Sequence, residues 1–288
     1  MNRRNFLKHA AAAVGTAWTC GPGMRSALAG GPEGASSFCF CVVADPHAAE
    51  GPKPGLERYG SGVDKFAACV RAIEEMEAAS RPDFLLLLGD IHPEAIKPGL
   101  ALLDIPVHVT PGNHESDRET RSLLRAMFPD DFKVDGSASD YYSFVHKGIR
   151  FISMCDAGKG GEHVGQFCSE NIEPSGQCEW IERELVLPEP RKILFAHIPP
   201  EPDGADRNMF LSRNDSRWFN ALVAEKQPLA MFFGHLHLPT REYSVGRTRV
   251  FQVRSCCWNF NNAPIGFLHV RVTGDIIETR EILTFETP

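Results

Sequence analysis

The sequence has no excess of positive charge: 30 lysines and arginines stand against 37 aspartates and glutamates, a formal net charge of -7. It therefore offers no broad basic surface to neutralise a phosphate backbone, and extended nucleic-acid binding is disfavoured. Nor does it have an apolar run long enough to cross a bilayer of about 30 Å. The nearest candidate, residues 10–18, is short and alanine-rich. The nine cysteines show no paired zinc-ligand spacing, and there is no internal repeat, low-complexity tract or interdomain linker. What is present is an apolar content of 43%, ample for the core of one large α/β domain, which we place at residues 38–288.

The first thirty residues differ from the rest. A charged start, Asn2-Arg3-Arg4-Asn5-Phe6-Leu7-Lys8, precedes the weak apolar run, and Ala27-Leu28-Ala29 offers a small-residue cleavage site. This resembles a twin-arginine signal peptide over residues 1–30, with Asn2 where the usual pattern has Ser or Thr. The resemblance implies export by the twin-arginine machinery to a periplasmic or extracellular location, no stable membrane span after cleavage, and cargo that folds before it leaves the cytosol. Outside the cytosol, Cys168 with Cys178 or Cys256 with Cys257 are candidates for oxidation, while Cys39, Cys41 and Cys69 read as buried thiols.

Beyond the leader, short apolar runs alternate with helical patterns. Strands are expected at 38–44, 84–88, 107–110, 192–196 and 229–233, and helices at 63–79, 177–186 and 217–224. Such alternation predicts parallel βαβ units. A hairpin around Lys147-Gly148 begins a second set of strands, and antiparallel-looking strands separated by Gly246-Arg247 and Gly274-Asp275 close the chain.

Five polar clusters each follow an apolar, strand-like run: Asp45-Pro46-His47, Gly89-Asp90, Gly112-Asn113-His114-Glu115, Ala196-His197 and Gly234-His235-Leu236-His237. Strand ends in α/β sheets are where sites assemble, and a core gains nothing from Asp, Asn and His there. Each cluster alone is common. Together and in this order they resemble the signature of the calcineurin-like metallophosphoesterases. That resemblance implies a four-layer αββα sandwich of two mixed β-sheets flanked by helices. It also implies hydrolysis of a phosphate mono- or diester by a metal-bridging hydroxide, with a small phosphorylated substrate.

Two cations about 3.5–4 Å apart need a bridging carboxylate, and a mixed oxygen and imidazole shell suits divalent or trivalent Mn, Fe or Zn. Asp90 is the expected bridge. By the resemblance, Asp45, His47 and His237 complete one metal position, Asn113, His197 and His235 the other, and His114 stands beside the leaving group as general acid. Glu115 reads equally as a loop-orienting residue or as support to the ligands. His92 and His163 fall in rim segments from which they could reach substrate, with surface or structural roles the simpler expectation. Arg58, Tyr59, Lys159, Arg207 and Arg213 are loop residues able to meet a substrate.

Departures narrow the class. Ile91-His92-Pro93 after Asp90 lacks the Asp-Arg-Gly extension of Ser/Thr protein phosphatases, and Pro93 stands where purple acid phosphatases place a metal-binding Tyr. A metal-binding scaffold or protein-interaction module without catalysis is the alternative, against which all seven ligand positions hold competent residues. The chain recovered after export is expected to lack residues 1–30, which N-terminal sequencing of the secreted or periplasmic protein would read.

Overall fold

The computed structural model describes residues 37–157, 162–189, 191–205 and 207–285. The expected signal peptide at residues 1–30 and Lys159 lie outside them. Residues 36–288 form one compact unit.

The run Leu85-Leu86-Leu87-Leu88 has no polar alternation, and all four residues are buried. A strand of this kind needs cover on both faces, which is the condition of an interior parallel strand. The strands in chain order are β1 (Ser37–Ala44), β2 (Leu85–Leu88), β3 (Val107–Thr110), β4 (Lys133–Val134), β5 (Ser137–Ala138), β6 (Tyr142–His146) and β7 (Ile149–Ser153). They continue as β8 (Arg191–Phe195), β9 (Ala230–Phe233), β10 (Arg241–Val245), β11 (Thr248–Gln252), β12 (Ile265–Thr273) and β13 (Ile276–Phe285). The α-helices are α1 (Gly62–Glu74), α2 (Pro93–Leu100), α3 (Arg118–Met127), α4 (Gln177–Val186) and α5 (Arg213–Lys226).

Two mixed sheets result. One has the order β13-β12-β1-β2-β3, the other β10-β11-β9-β8-β7-β6, and β4-β5 is a small separate ribbon. In the first sheet β1, β2 and β3 are parallel, and in the second β7, β8, β9 and β11 are parallel. The period-two alternation of β9 identifies the layers. Ala230 and Phe232 face the core shared with the first sheet, whereas Met231 and Phe233 join Trp180, Ile181, Phe219 and Val223 of α4 and α5. Helices α1 and α2 pack on the first sheet through Phe66, Val70, Ile73 and Ile96. The architecture is thus the expected αββα sandwich. Among the described residues, no helix is long and apolar enough to cross a membrane.

Aromatic rings join the sheets. Phe40 of β1 lies edge-on to Phe151 of β7 at 5.5 Å and to Phe232 of β9 at 5.6 Å, and stacks on Phe84 at 5.2 Å. Such pairs add to the area they bury and fix the distance between the sheets.

Some elements depart from the sequence expectation. Helix α1 ends at Glu74 and not at residue 79, because Arg81 donates to the Glu74 carbonyl at 3.3 Å and to its carboxylate at 2.6 Å, turning the chain back toward β2. Helix α5 begins four residues earlier than expected, where the Ser212 hydroxyl caps it by accepting from the Asp215 amide. Helices α2 and α3 are not legible from hydrophobic periodicity: α2 contains Pro98, and α3 buries only Arg121 and Leu124. The closing strands do pair antiparallel, but they are split between the sheets, and β11 also runs parallel to β9. Cys168 and Cys178 form a disulfide, and Cys39, Cys41, Cys69, Cys155, Cys256 and Cys257 are buried free thiols.

Replacing Phe40 by Ala is expected to cost about 3–5 kcal/mol, the usual range for deleting a buried aromatic ring. A fall in the urea midpoint at unchanged slope would establish this.

Candidate dimetal site

All five clusters leave the carboxyl ends of parallel strands: Asp45 and His47 after β1, Asp90 after β2, Asn113 and His114 after β3, His197 after β8, and His235 and His237 after β9. The chain must turn sharply after each apolar run. It does so with left-handed backbone at Asp45, His47, Asp90, His235 and His237, with φ between 42° and 69°. Such conformations at non-glycine residues cost on the order of 1 kcal/mol or more each and persist only where surrounding contacts enforce them.

Two glycines permit the close approach. Gly89 has φ +70°, and a Cβ there would lie 2.4 Å from the His197 ring. A Cβ on Gly234 would lie 2.6 Å from the Asp45 carboxylate. The Asp45 carboxylate is in turn held by the His235 amide at 2.9 and 3.1 Å, and Asp90 accepts the His114 amide at 3.0 Å.

The seven expected ligand residues are all buried, none more than 5% exposed. His47 Nε2 lies 3.1 Å from His237 Nε2 and 3.5 Å from Asp90 Oδ2, and His237 Nε2 lies 3.4 Å from Asp45 Oδ1. On the other side, His197 Nε2 lies 3.1 Å from both Asn113 Oδ1 and His235 Nδ1, and 3.3 Å from Asp90 Oδ2. Donor atoms about 2.1 Å from a common cation stand about 3.0 Å apart at right angles and about 3.4 Å apart at tetrahedral angles. The observed spacings fall in that range. Two groups emerge, Asp45-His47-Asp90-His237 and Asp90-His197-His235, and Asp90 belongs to both.

The tautomers agree. His197 Nδ1 donates to the Leu88 carbonyl at 2.9 Å, His237 Nδ1 to the Trp258 carbonyl at 2.6 Å, and His235 Nε2 to the His163 carbonyl at 3.3 Å. His47 Nδ1 faces the Glu50 carboxylate at 3.2 Å. Carbonyl and carboxylate oxygens can only accept, so each outer nitrogen carries a proton, and in the neutral ring the inner nitrogen presents a lone pair to the cluster. Lone pairs turned toward one another are unfavourable unless a cation sits between them. The donor set therefore fits metal ions.

Electrostatics point the same way. Burial pushes His237 down to about 3 and His235 well below the usual imidazole range, so both stay neutral. Burial also opposes a charge on His197, but the Asp90 and Asp45 carboxylates outweigh it and raise that imidazole to about 10. Without metal, the cleft thus holds a proton where a cation belongs.

His114 stands at the mouth, its side chain 37% exposed and its Nε2 3.9 Å from Asp90 Oδ2. Burial holds it below the usual imidazole range. Glu115 orients loops: its buried carboxylate accepts the Ile91 and His92 amides at 2.9 and 3.0 Å and the Gly112 amide at 2.9 Å. It binds the Asp90 turn to the Asn113 turn. Of the loop residues able to meet a substrate, Arg207 pairs with Glu201, Arg58 lies over Tyr59, Tyr59 stacks on Phe285, and Arg213 opens α5.

Sequence reasoning missed three supporting residues. Glu50 backs His47. Trp258 stacks on His237 at 3.8 Å. Asp156, fully buried after β7, accepts the Ile198 amide at 2.6 Å and so fixes the peptide beside His197. Met154-Cys155-Asp156 carried the signal already recognised at Asp45, a carboxylate directly after an apolar strand.

An αββα sandwich with this cluster at its strand ends defines a class, the two-metal phosphoesterase fold. The signature of the calcineurin-like phosphoesterases matches residues 40–239, and the chain belongs to that family. It is 29% identical over 201 residues to a probable cyclic nucleotide phosphodiesterase of Rhodococcus erythropolis, covering 66% of this chain and 62% of that one. It is 27% identical over 183 residues to a probable glycerophosphodiester phosphodiesterase of Arcobacter nitrofigilis, covering 59% and 61%. The chain thus spans less than two thirds of the length of these curated relatives. A dimetal phosphatase from Danio rerio shares the fold with a TM-score of 0.59 at 18% identity, covering 86% of this chain and 97% of that one.

Glu115→Ala leaves three buried amides without their carboxylate acceptors and is expected to lower stability by about 2–4 kcal/mol. Glu115→Gln, whose amide oxygen still accepts, should lose less. Chemical denaturation would rank the two, and amide exchange at Ile91 and His92 should quicken in the Ala variant.

Proposed function

We propose that this protein hydrolyses phosphate esters with two metal ions, and that diesters are its substrate class. The observation that carries the reading is the paired ligand geometry: two groups of inward-facing donors that share Asp90. The names of the two curated relatives, both phosphodiesterases, support the diester preference.

On this reading Asp45, His47, Asp90 and His237 hold one cation, and Asp90, Asn113, His197 and His235 the other, as Mn, Fe or Zn. Bound there, the pair offsets charge on the phosphoryl oxygens and makes water acidic enough to attack at neutral pH. Four neutral imidazoles, one amide and two carboxylates leave two divalent cations with net positive charge, so the cleft attracts a phosphate anion. His114, at the mouth and partly exposed, stands where its Nε2 can pass a proton to the departing ester oxygen. Asp90 keeps its charge because His197 and His47 outweigh the burial that opposes it.

Export belongs to the same proposal. The Arg3-Arg4 leader supports it, as does the Cys168–Cys178 disulfide, a bond that persists in oxidising compartments. The non-catalytic scaffold is disfavoured by the complete ligand set.

Two metals per chain are expected by elemental analysis of the purified protein, with turnover of bis(p-nitrophenyl) phosphate exceeding that of p-nitrophenyl phosphate. Asp90→Asn should lose metal and reduce turnover by at least about a hundredfold, the scale of removing a major electrostatic contribution to catalysis. No metal and no turnover on either compound would sink the enzyme reading.

A further inference from the structure

The sequence assigned His92 to a rim, yet the structure sets it against the site. Its ring centre lies 5.3 Å from that of His114 and 5.9 Å from that of His47. The three imidazoles can each bring one nitrogen within 4.8 Å of the others. His92 has left-handed backbone, with φ 57° and ψ 81°. Its amide is gripped by Glu115, and its carbonyl accepts the Ala95 and Ile96 amides that start α2. Three backbone bonds therefore hold a strained residue so that its side chain faces the cleft. Its Nε2 is nevertheless buried without a hydrogen-bond partner.

A buried, unpaired imidazole nitrogen costs about 1–3 kcal/mol, and such atoms are rare unless something binds them. A third cation does not suit the place. His47 already turns Nε2 to His237 and Asp90 and Nδ1 to Glu50, so it has no lone pair left for another metal. No carboxylate belongs to the His47-His92-His114 group. An anionic oxygen does suit it, because His92 and His114 form a pair of N–H donors outside the ligand cluster.

We infer that His92 is a substrate-binding residue whose Nε2–H donates to a phosphoryl oxygen of the bound ester, beside His114. The inference rests on the phosphoesterase reading above. It makes His92, two residues after Asp90, a phosphate grip of this chain.

The test compares His92→Phe, which keeps a ring and removes the donor, with His92→Gln, whose side-chain amide restores one. For the metal-loaded protein we expect His92→Phe to raise KM and the calorimetric Kd of inorganic phosphate about tenfold, with kcat changed much less. His92→Gln should recover most of the loss, and both variants should keep two metals and a thermal midpoint no lower than the parent's. If phosphate binds the Phe variant as tightly as the parent, or the Phe variant loses a metal ion, the inference is wrong while the phosphoesterase reading stands. If the parent itself binds neither metal nor phosphate, both fail together. Should the Phe variant not fold, His92→Gln and His92→Ala carry the same comparison.

Discussion

Asp45 and Asp90 are the constraint on which the rest of this structure depends. Two carboxylates are buried where the sheets' strand ends meet, and a buried charge is strongly unfavourable unless an opposite charge or several hydrogen bonds accompany it. The His235 and His114 amides supply part of the compensation. A proton on His197 supplies more, drawn there by both carboxylates. His47, which the Glu50, Asp90 and Asp45 carboxylates favour in its charged form against burial, adds to it, whereas the inward lone pairs of neutral His235 and His237 add none. The cleft is therefore built at the expense of apo stability, and metal ions held there would add to the protein's folding free energy.

The scaffold bears this cost through its core. The inner faces of both sheets interlock through Phe40, Phe84, Phe151 and Phe232, and the outer faces are covered by helices. Strands so anchored cannot shift to relieve strain at their ends, so the left-handed residues that follow β1, β2 and β9 are retained. Glu115 adds local restraint by joining the turn after β2 to the turn after β3 through three amides. Arg121, buried beneath it, donates to the Glu115 and Ser116 carbonyls and to Asp140, tying the same segment to α3.

Much of this was legible in the sequence because the chemistry sits in consecutive residues. An apolar strand followed at once by Asp, Asn or His announces both the strand and the ligand, as at Ala44-Asp45 and Phe233-Gly234-His235. What was not legible depends on contacts distant in sequence. Helix α3 gives little hydrophobic signal because much of its inner face is Arg121, satisfied by Asp140 and by carbonyls of other segments. Glu50 reads as a loop acid until His47 faces it. His92 looks like a surface residue until Glu115, 23 positions away, fixes its backbone toward the cleft.

The two proposed metal positions are electrostatically unequal, and this follows from which residues surround each. The first has Asp45 and Asp90 among its donors, with Glu50 directly behind His47. The second has Asp90 as its one carboxylate within hydrogen-bond range of His197, completed by the neutral Asn113 amide and two imidazoles whose outer nitrogens face uncharged carbonyls. Charge on the donors raises affinity for a cation, so the first position should fill before the second and retain its ion longer. An anion that bridges the pair would then add most to the hold on the second ion. His92 and His114 stand on the side of the first position, and a phosphate gripped there is presented to both.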